Sequence, residues 1–372
     1  MTATTMTRRR ALAGALGLGL APALPAAEAE GAARTVRALT RPALKVARPT
    51  QAVLQAVALA GTRLVAVGER GLVIHSDDAG QRWTQARVPL SASLTALCFA
   101  DAKRGWAVGN LGVVLQTDDG GATWVKRLDG SAGAALALQA AQGQPAQVDE
   151  AQRLVDEGPD KPLLAIAQRP DGALLAVGAY GLAFASRDGG TSWQPQMARL
   201  PNAEGLTYYG LAERRGEALL FGEQGLLLRS TGEAFAATPS PANASLFAAV
   251  AQREGPLLLM GLRGRVWRSA APGDAWQLVQ TPVDASLLGG TVLADGRVVV
   301  VGAAGQVLLS ADGGQHFRPV ALAQRFPFTG VVQAPDGALL LVGLRGLLRV
   351  TPAELTAALE SGLPSSPRKP AA

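Results

Sequence analysis

The phrase Gly68-Glu69-Arg70-Gly71-Leu72-Val73-Ile74-His75-Ser76 constrains the fold of this 372-residue chain more than any other feature. It consists of two glycines around a variable pair, an apolar run, and a hydroxyl residue five positions after the second glycine. The pattern recurs with second glycines at Gly71, Gly112, Gly181, Gly225, Gly264, Gly305 and Gly346. The matching hydroxyl residues are Ser76, Thr117, Ser186, Ser230, Ser269, Ser310 and Thr351. Intervals are 41, 69, 44, 39, 41 and 41 residues, so a single interval is abnormal. Repeats of about 40 residues made of short strands are the signature of propeller blades. The apolar runs on either side of each turn suit inner strands packed on both faces. The glycines that flank residues 69 and 70 predict a tight two-residue hairpin between strands b and c.

Seven such units predict an all-β, seven-bladed β-propeller over residues 30–351. The long interval places an insert at 130–161, between strand d of blade 2 and strand a of blade 3. Ala134–Ala141 and Asp149–Glu157 read as helical, and Gly158-Pro159 is a helix stop. Blade 7 carries strands a, b and c but no d. Thr351-Pro352-Ala353-Glu354 instead starts a helix, with a hydroxyl N-cap, Pro at N1 and Glu at N3. Residues 352–372 are read as that C-terminal helix and a disordered tail. The missing strand is assigned to residues 42–48, around Leu44-Lys45-Val46-Ala47, whose pairing with blade 7 would close the ring.

Residues 1–29 read as an export signal. Thr7-Arg8-Arg9-Arg10 precedes an uncharged Leu/Ala/Gly-rich stretch, and Ala27-Glu28-Ala29 is a small-residue exit. The arginine pair resembles a twin-arginine signal; Ala11 keeps the general secretory route open. The formal charge is +6. Removing residues 1–29 takes away three arginines and one glutamate and leaves +4. Excess positive charge favours acidic partners or anionic membrane surfaces. The basic residues form no block of five and do not alternate with clustered aromatics, which argues against nucleic-acid binding. No later stretch reaches transmembrane length. The predicted location is therefore periplasmic or otherwise exported, with no integral membrane segment after signal cleavage. Cys98, the single cysteine, lies in an apolar strand and reads as a small core residue.

A second motif follows each hydroxyl residue. Ser76-Asp77-Asp78-Ala79-Gly80-Gln81-Arg82-Trp83 fits S/T-x-D-x-G-x-x-W/F, as do the segments carrying Asp119 and Trp124, Asp188 and Trp193, and Asp312 and Phe317. Blade 5 keeps Gly273 and Trp276 but has Ala271 in place of Asp, and the blade 4 copy is shortened to Ser230–Phe235. Asp78, Asp119, Asp188 and Asp312 are assigned to turn building, and Trp83, Trp124, Trp193 and Trp276 to packing between blades. The motif resembles the Asp-box, or bacterial neuraminidase repeat. With the GxxG phrases and the export signal, it makes residues 42–351 resemble the photosystem II stability/assembly factor-like family. That resemblance implies a seven-bladed propeller without catalysis or cofactors. It implies an assembly or stability factor, or an interaction scaffold, for a membrane protein complex or its subunits, acting from the periplasmic or lumenal side. In an oxygenic phototroph the compartment would be the thylakoid lumen. The insert at 130–161 and the weak motifs of blades 4 and 5 depart from a photosynthetic member.

In a propeller the b–c turns share one face. Their dipeptides therefore form a ring on which Arg70, Arg263 and Arg345 are the partner-binding candidates, together with Tyr180. An arginine patch is a feature the resemblance also implies. Two other functions compete. One is a periplasmic accessory of an envelope transporter. The other is a sialidase-type glycoside hydrolase, which needs an arginine triad, a carboxylate and a tyrosine nucleophile. Tyr180, Tyr208 and Tyr209 are the only tyrosines, and seven repeats exceed the six of sialidase propellers. His75 and His316 lie in separate blades, so no metal site is assigned.

Overall fold

The computed structural model describes residues 37–361, apart from 233, 253–254 and 272–274. Residues 1–29, read as an export signal, the C-terminal tail beyond Ser361 and Gly273 lie outside these residues. The described chain forms seven antiparallel meanders arranged as a β-propeller. Strand a begins at Leu54, Leu94, Leu163, Tyr208, Leu246, Leu287 and Phe328 in blades 1 to 7. Each strand a neighbours the strand a of the next blade, and blade 7 neighbours blade 1. Strand b is the buried plank of each blade: Gly105–Gly109, Leu174–Gly178, Leu257–Gly261, Val298–Gly302 and Leu339–Gly343 are buried throughout. The near-continuous apolar runs therefore face neighbours on both sides.

The core lies between blades, not within them. Val65, Val67 and Val73 of blade 1 pack with Ala107, Val113 and Leu115 of blade 2. Equivalent clusters join every later pair, ending with Leu64 of blade 1 against Ala334, Ala338 and Leu340 of blade 7. Each blade is thus stable only in its neighbours' company, as in other repeat folds.

The hydroxyl–Asp–Gly turns bind these packed blades together. Ser76 Oγ donates to Asp78 Oδ1 at 2.9 Å and accepts from the Gly80 N–H at 2.9 Å. Asp78 Oδ1 accepts the amides of Gln81 and Arg82 at 3.1 and 2.8 Å. Trp83 Nε1 closes the turn on the Gly80 carbonyl at 3.0 Å. Blades 2, 3 and 6 repeat the hydroxyl and aspartate bonds. Trp124 and Trp193 are buried at the interface with the preceding blade.

The turns of blades 1, 2, 3, 4 and 6 also expose one carbonyl to a donor from the preceding blade. Arg63 Nη1 reaches Gly120 O at 3.3 Å, Trp106 Nε1 reaches Gly189 O at 3.2 Å, and Arg169 Nη2 reaches Gly232 O at 2.9 Å. Arg268 Nε reaches Gly313 O at 2.9 Å and Arg349 Nε reaches Ala79 O at 3.0 Å. In blade 5, whose motif is degraded, Arg214 Nη1 bonds the Ser269 carbonyl itself at 2.9 Å. A charge-assisted bond to a backbone carbonyl is stronger than a neutral one. A share of the arginine excess is thus spent inside the ring.

The insert forms two helices, α1 (Gly130–Ala140) and α2 (Pro145–Glu157). Asp129 caps α1 by accepting the Ala132 amide at 3.0 Å. Gly158, in the left-handed region at φ 79°, ends α2. Helix α1 wedges between the b–c turn of blade 2 and the short outer strand of blade 3, Gln194–Pro195. Helix α3 (Pro352–Ser361) starts with the expected reciprocal cap. Thr351 N–H donates to Glu354 Oε2 at 2.8 Å, and Glu354 N–H to Thr351 Oγ1 at 3.3 Å. Leu355 and Ala358 bury α3 against blades 6 and 7.

Three expectations need correction. Residues 42–48 form no strand, and blade 7 keeps three strands. The segment instead straps the outer edge of blade 1. Ala43 N–H donates to Val88 O at 3.1 Å, Val46 N–H to Gln85 Oε1 at 2.9 Å, and Gln85 Nε2 to Leu44 O at 2.9 Å. Pro42 and Pro49 bracket the segment and limit any ladder it can form. The ring closes by face-to-face packing and by Thr329 Oγ1 donating to Leu54 O at 3.0 Å. Second, the sequence of blade 1 predicts its strand d over Trp83–Val88, and the strand covers only Thr84–Gln85. Beyond it the Arg87 N–H turns away to the Ala122 carbonyl of blade 2 at 2.9 Å. Third, the two-residue b–c hairpin is found in blade 7, where Gly343 pairs with Gly346; blades 1 to 5 use a three-residue 3-10 turn.

Candidate partner-binding face

The b–c turns of blades 1 to 5 each sit beside strand a of the following blade, which puts them at one end of the ring. Their geometry explains the GxxG spacing. The first glycine is extended, and it is glycine because strand a crosses it: a Cβ on Gly68 would lie 2.1 Å from Val53 O. The second glycine and the residue before it take positive φ. That residue is not glycine in blades 1 to 5: Arg70 at 53°, Leu111 at 64°, Tyr180 at 55°, Gln224 at 52° and Arg263 at 55°. A left-handed non-glycine residue costs about 1–3 kcal/mol. Five blades bear that cost at the apex of the same turn; the side chain is exposed at Arg70, Tyr180, Gln224 and Arg263 and buried at Leu111.

Arg70, Tyr180 and Arg263 are exposed at these apices, and Arg345 is exposed in the two-residue b–c turn of blade 7. Among the described residues, Arg70, Arg263 and Arg345 have no carboxylate within ion-pair distance. Arg70 and Arg345 stand on adjacent blades across the closure. Arg263 stands on blade 5, separated from Arg345 by the Ala303-Ala304 turn of blade 6. Tyr180, 70% exposed, stands apart on blade 3. There the insert reaches the ring: Lys161 Nζ lies 5.7 Å from the Tyr180 ring centroid and is anchored by Glu157 at 2.5 Å.

Two apolar residues belong to the same face and were missed by attention to charge. Leu262 and Leu344 precede Arg263 and Arg345 and are exposed. Leu-Arg pairs on two turns offer an apolar contact beside a planar cation, a combination suited to protein interfaces. The signal was present in the dipeptides, which read Leu262-Arg263 and Leu344-Arg345.

The other titratable candidates are used structurally. Bonds from the Ser192 hydroxyl and amide, with one from Ser186, lower the Asp188 carboxyl to about 2. Asp312 is also lowered: burial opposes the change, but the amide and ring of His316 outweigh it. Burial pushes the Cys98 thiol up to about 12, which keeps it protonated and unreactive. Tyr208 is fully buried and its hydroxyl is likewise pushed up to about 12 by burial. That is the reverse of what an activated tyrosine nucleophile requires. His75 is lowered by burial and by Arg63. Among the described residues no three His, Cys, Asp or Glu side chains stand close enough to hold a metal ion, and no helix is long and apolar enough to cross a membrane.

No protein-family model and no curated protein sequence matches the chain. Solved structures do. One described as YCF48 bound to D1 peptide superposes with a TM-score of 0.60 at 20% identity, covering 84% of this chain and 99% of that one. YCF48 from Cyanidioschyzon merolae superposes at 0.57 with 16% identity, covering 82% and 97%. Virginiamycin B lyase from Staphylococcus aureus superposes at 0.63 with 11% identity, covering 84% and 98%. At these identities the likeness is one of fold, and the fold carries both a peptide-bound protein and a lyase. The described chain is a seven-bladed β-propeller.

Proposed function

We propose that this chain is an exported, non-catalytic propeller of the Asp-box type that acts as an assembly or stability factor for a membrane protein complex. It holds an extended segment of a client subunit against the b–c turn face. The observation that carries this reading is the ring of left-handed turn residues, which sets Arg70, Tyr180 and Arg263 outward at a conformational cost. The exposed Leu-Arg pairs of blades 5 and 7 support the same face. The resemblance to photosystem II stability/assembly factor-like propellers supports the class of client, as does the fold likeness to a structure described as YCF48 bound to D1 peptide. The signal-like residues 1–29 support action in the periplasm or a lumen. The burial of Tyr208 supports the non-catalytic side of the proposal.

The test is capture of solubilised membrane complexes from the source organism by tagged protein, wild type against Arg70→Glu with Arg345→Glu. Reversal of two rim charges should cut capture about tenfold or more while leaving the thermal melt unchanged. Capture at the wild-type level by the folded double variant would refute the face.

A further inference from the structure

A slot of about 490 Å³ opens at the rim between blades 3 and 4. It contains none of the partner-face residues. It exists because blade 4 has lost part of its hydroxyl–Asp–Gly turn. In blade 3 that turn runs from Ser186 to Trp193; in blade 4 it is clipped to Ser230–Phe235, two residues shorter, with Thr231 paired directly to Ala234. The fuller turn that occupies this place in blades 1, 2, 3 and 6 is therefore not there to fill the space.

The lining is amphipathic. Leu175, Leu200 and Phe235 are buried and form an apolar floor. Arg169, Arg187 and Arg199 line it together with one carboxylate, Asp188. That carboxylate is committed to its own turn through Ser186 Oγ at 2.8 Å and Ser192 Oγ at 2.6 Å. Arg169 is fixed, with Nη2 on Gly232 O at 2.9 Å and its guanidinium 5.5 Å from the Phe235 ring centroid. Its Nε is buried and has no hydrogen-bond partner. A buried donor without a partner is costly unless something supplies an acceptor. Glu213, on strand a of blade 4, does not supply it: its Oε1 is itself buried without a partner. Burial raises the Glu213 carboxyl to about 7 against the pull of Arg169, so its compensation of the guanidinium is incomplete near neutral pH. Arg199 lies at the end of a 3-10 turn, Met197–Arg199, and is exposed at the slot.

We infer that the slot between blades 3 and 4 binds a small amphipathic organic anion, a carboxylate carried on a flat apolar body. The carboxylate pairs with the exposed Arg199 beside the positive charge of Arg169, and the apolar body lies on Phe235 and Leu200. The volume is that of a small-ligand site, and a planar guanidinium pairs a carboxylate bidentately.

The probe is 2-naphthoate, titrated calorimetrically into the full chain, with neutral 2-naphthamide as the control. Saturable 1:1 binding of naphthoate is expected, with the amide and Arg199→Glu each weaker by about tenfold or more. Arg199 makes no ion pair or interblade bond among the described residues, so the variant should melt as wild type does. Arg169→Gln should also lose binding, but it removes an interblade bond, so Arg199→Glu is the deciding variant. The partner-face variant, Arg70→Glu with Arg345→Glu, should bind naphthoate normally, which separates this site from the proposed client face. The inference is overturned by non-saturating heats, by equal affinity for the amide, by a folded Arg199→Glu that binds as tightly as wild type, or by binding only of an acidic peptide.

Discussion

Arg349 tests how the ring closes. Its Nε donates to the Ala79 carbonyl of blade 1 at 3.0 Å, and its Nη2 pairs with Asp336 of blade 7. It is therefore the closing member of the interblade donor series, joining sequence positions 270 residues apart. Arg349→Met keeps the apolar stem and removes both interactions. A hydrogen bond from a charged donor contributes about 1.5–3 kcal/mol, and its loss leaves the Ala79 carbonyl without its partner. The Asp336 pair is partly exposed and adds at most about 1 kcal/mol. The expected destabilisation is about 2–3 kcal/mol. At about 2 cal/mol/K of unfolding entropy per residue, a domain of about 300 residues should melt roughly 3–5 °C lower. The control is Arg82→Met on the adjacent turn, whose side chain is 93% exposed and whose nearest carboxylate oxygen, on Asp78, is 3.8 Å away. It should shift the melt by under about 1 °C. Differential scanning calorimetry at constant pH compares the two. Equal melts for the two variants would refute the idea that these bonds tie neighbouring blades.

Two further outcomes follow from the turns and the strap. Asp188 has a folded-state value of about 2, below its unfolded value, so its contribution to stability is present above that unfolded value, near 4. It is lost as pH falls through 4 toward 2; Asp188→Asn should flatten the melting temperature over that window, and an unaltered slope would contradict the assignment. Gln85→Ala removes both side-chain bonds that hold residues 44–46, so those residues should become more open to protease while the main transition drops by only about 1–2 kcal/mol. Loss of the whole transition would return residues 42–48 to the role of ring closure.

The repeat was legible because its residues are set by local geometry. The first glycine answers the carbonyl of strand a, the hydroxyl and aspartate answer the amides of their own turn, and the strand b apolar runs answer burial on both faces. The cap of α3 was legible for the same reason, since Thr351 and Glu354 are three residues apart. The interblade donors were not. Arg63 opens a strand b, Arg169 lies in an a–b turn, and Arg268 and Arg349 lie in strand c; they share a target and no sequence register. The place of residues 42–48 was also hidden. An apolar tetrapeptide can serve either edge, and the choice depends on the Gln85 side chain, which no strand pattern reveals. Among the site candidates, Arg70, Arg263, Arg345 and Tyr180 could be placed on one end from the meander alone. The left-handed backbone at Arg70 could not, because a residue there is normally expected to be Gly or Asn. The slot at blade 4 was visible only as a shortened motif, whose consequence depends on what the neighbouring blade presents.

The central claim is that the b–c turn end meets the client. A photo-crosslinking side chain placed at position 70 or 345, and for comparison at 82 or 315 on the c–d turns, tests it in intact cells of the source organism. Adducts to a subunit of one membrane complex are expected from 70 and 345 and not from 82 or 315. Adducts confined to 82 and 315 would contradict the account.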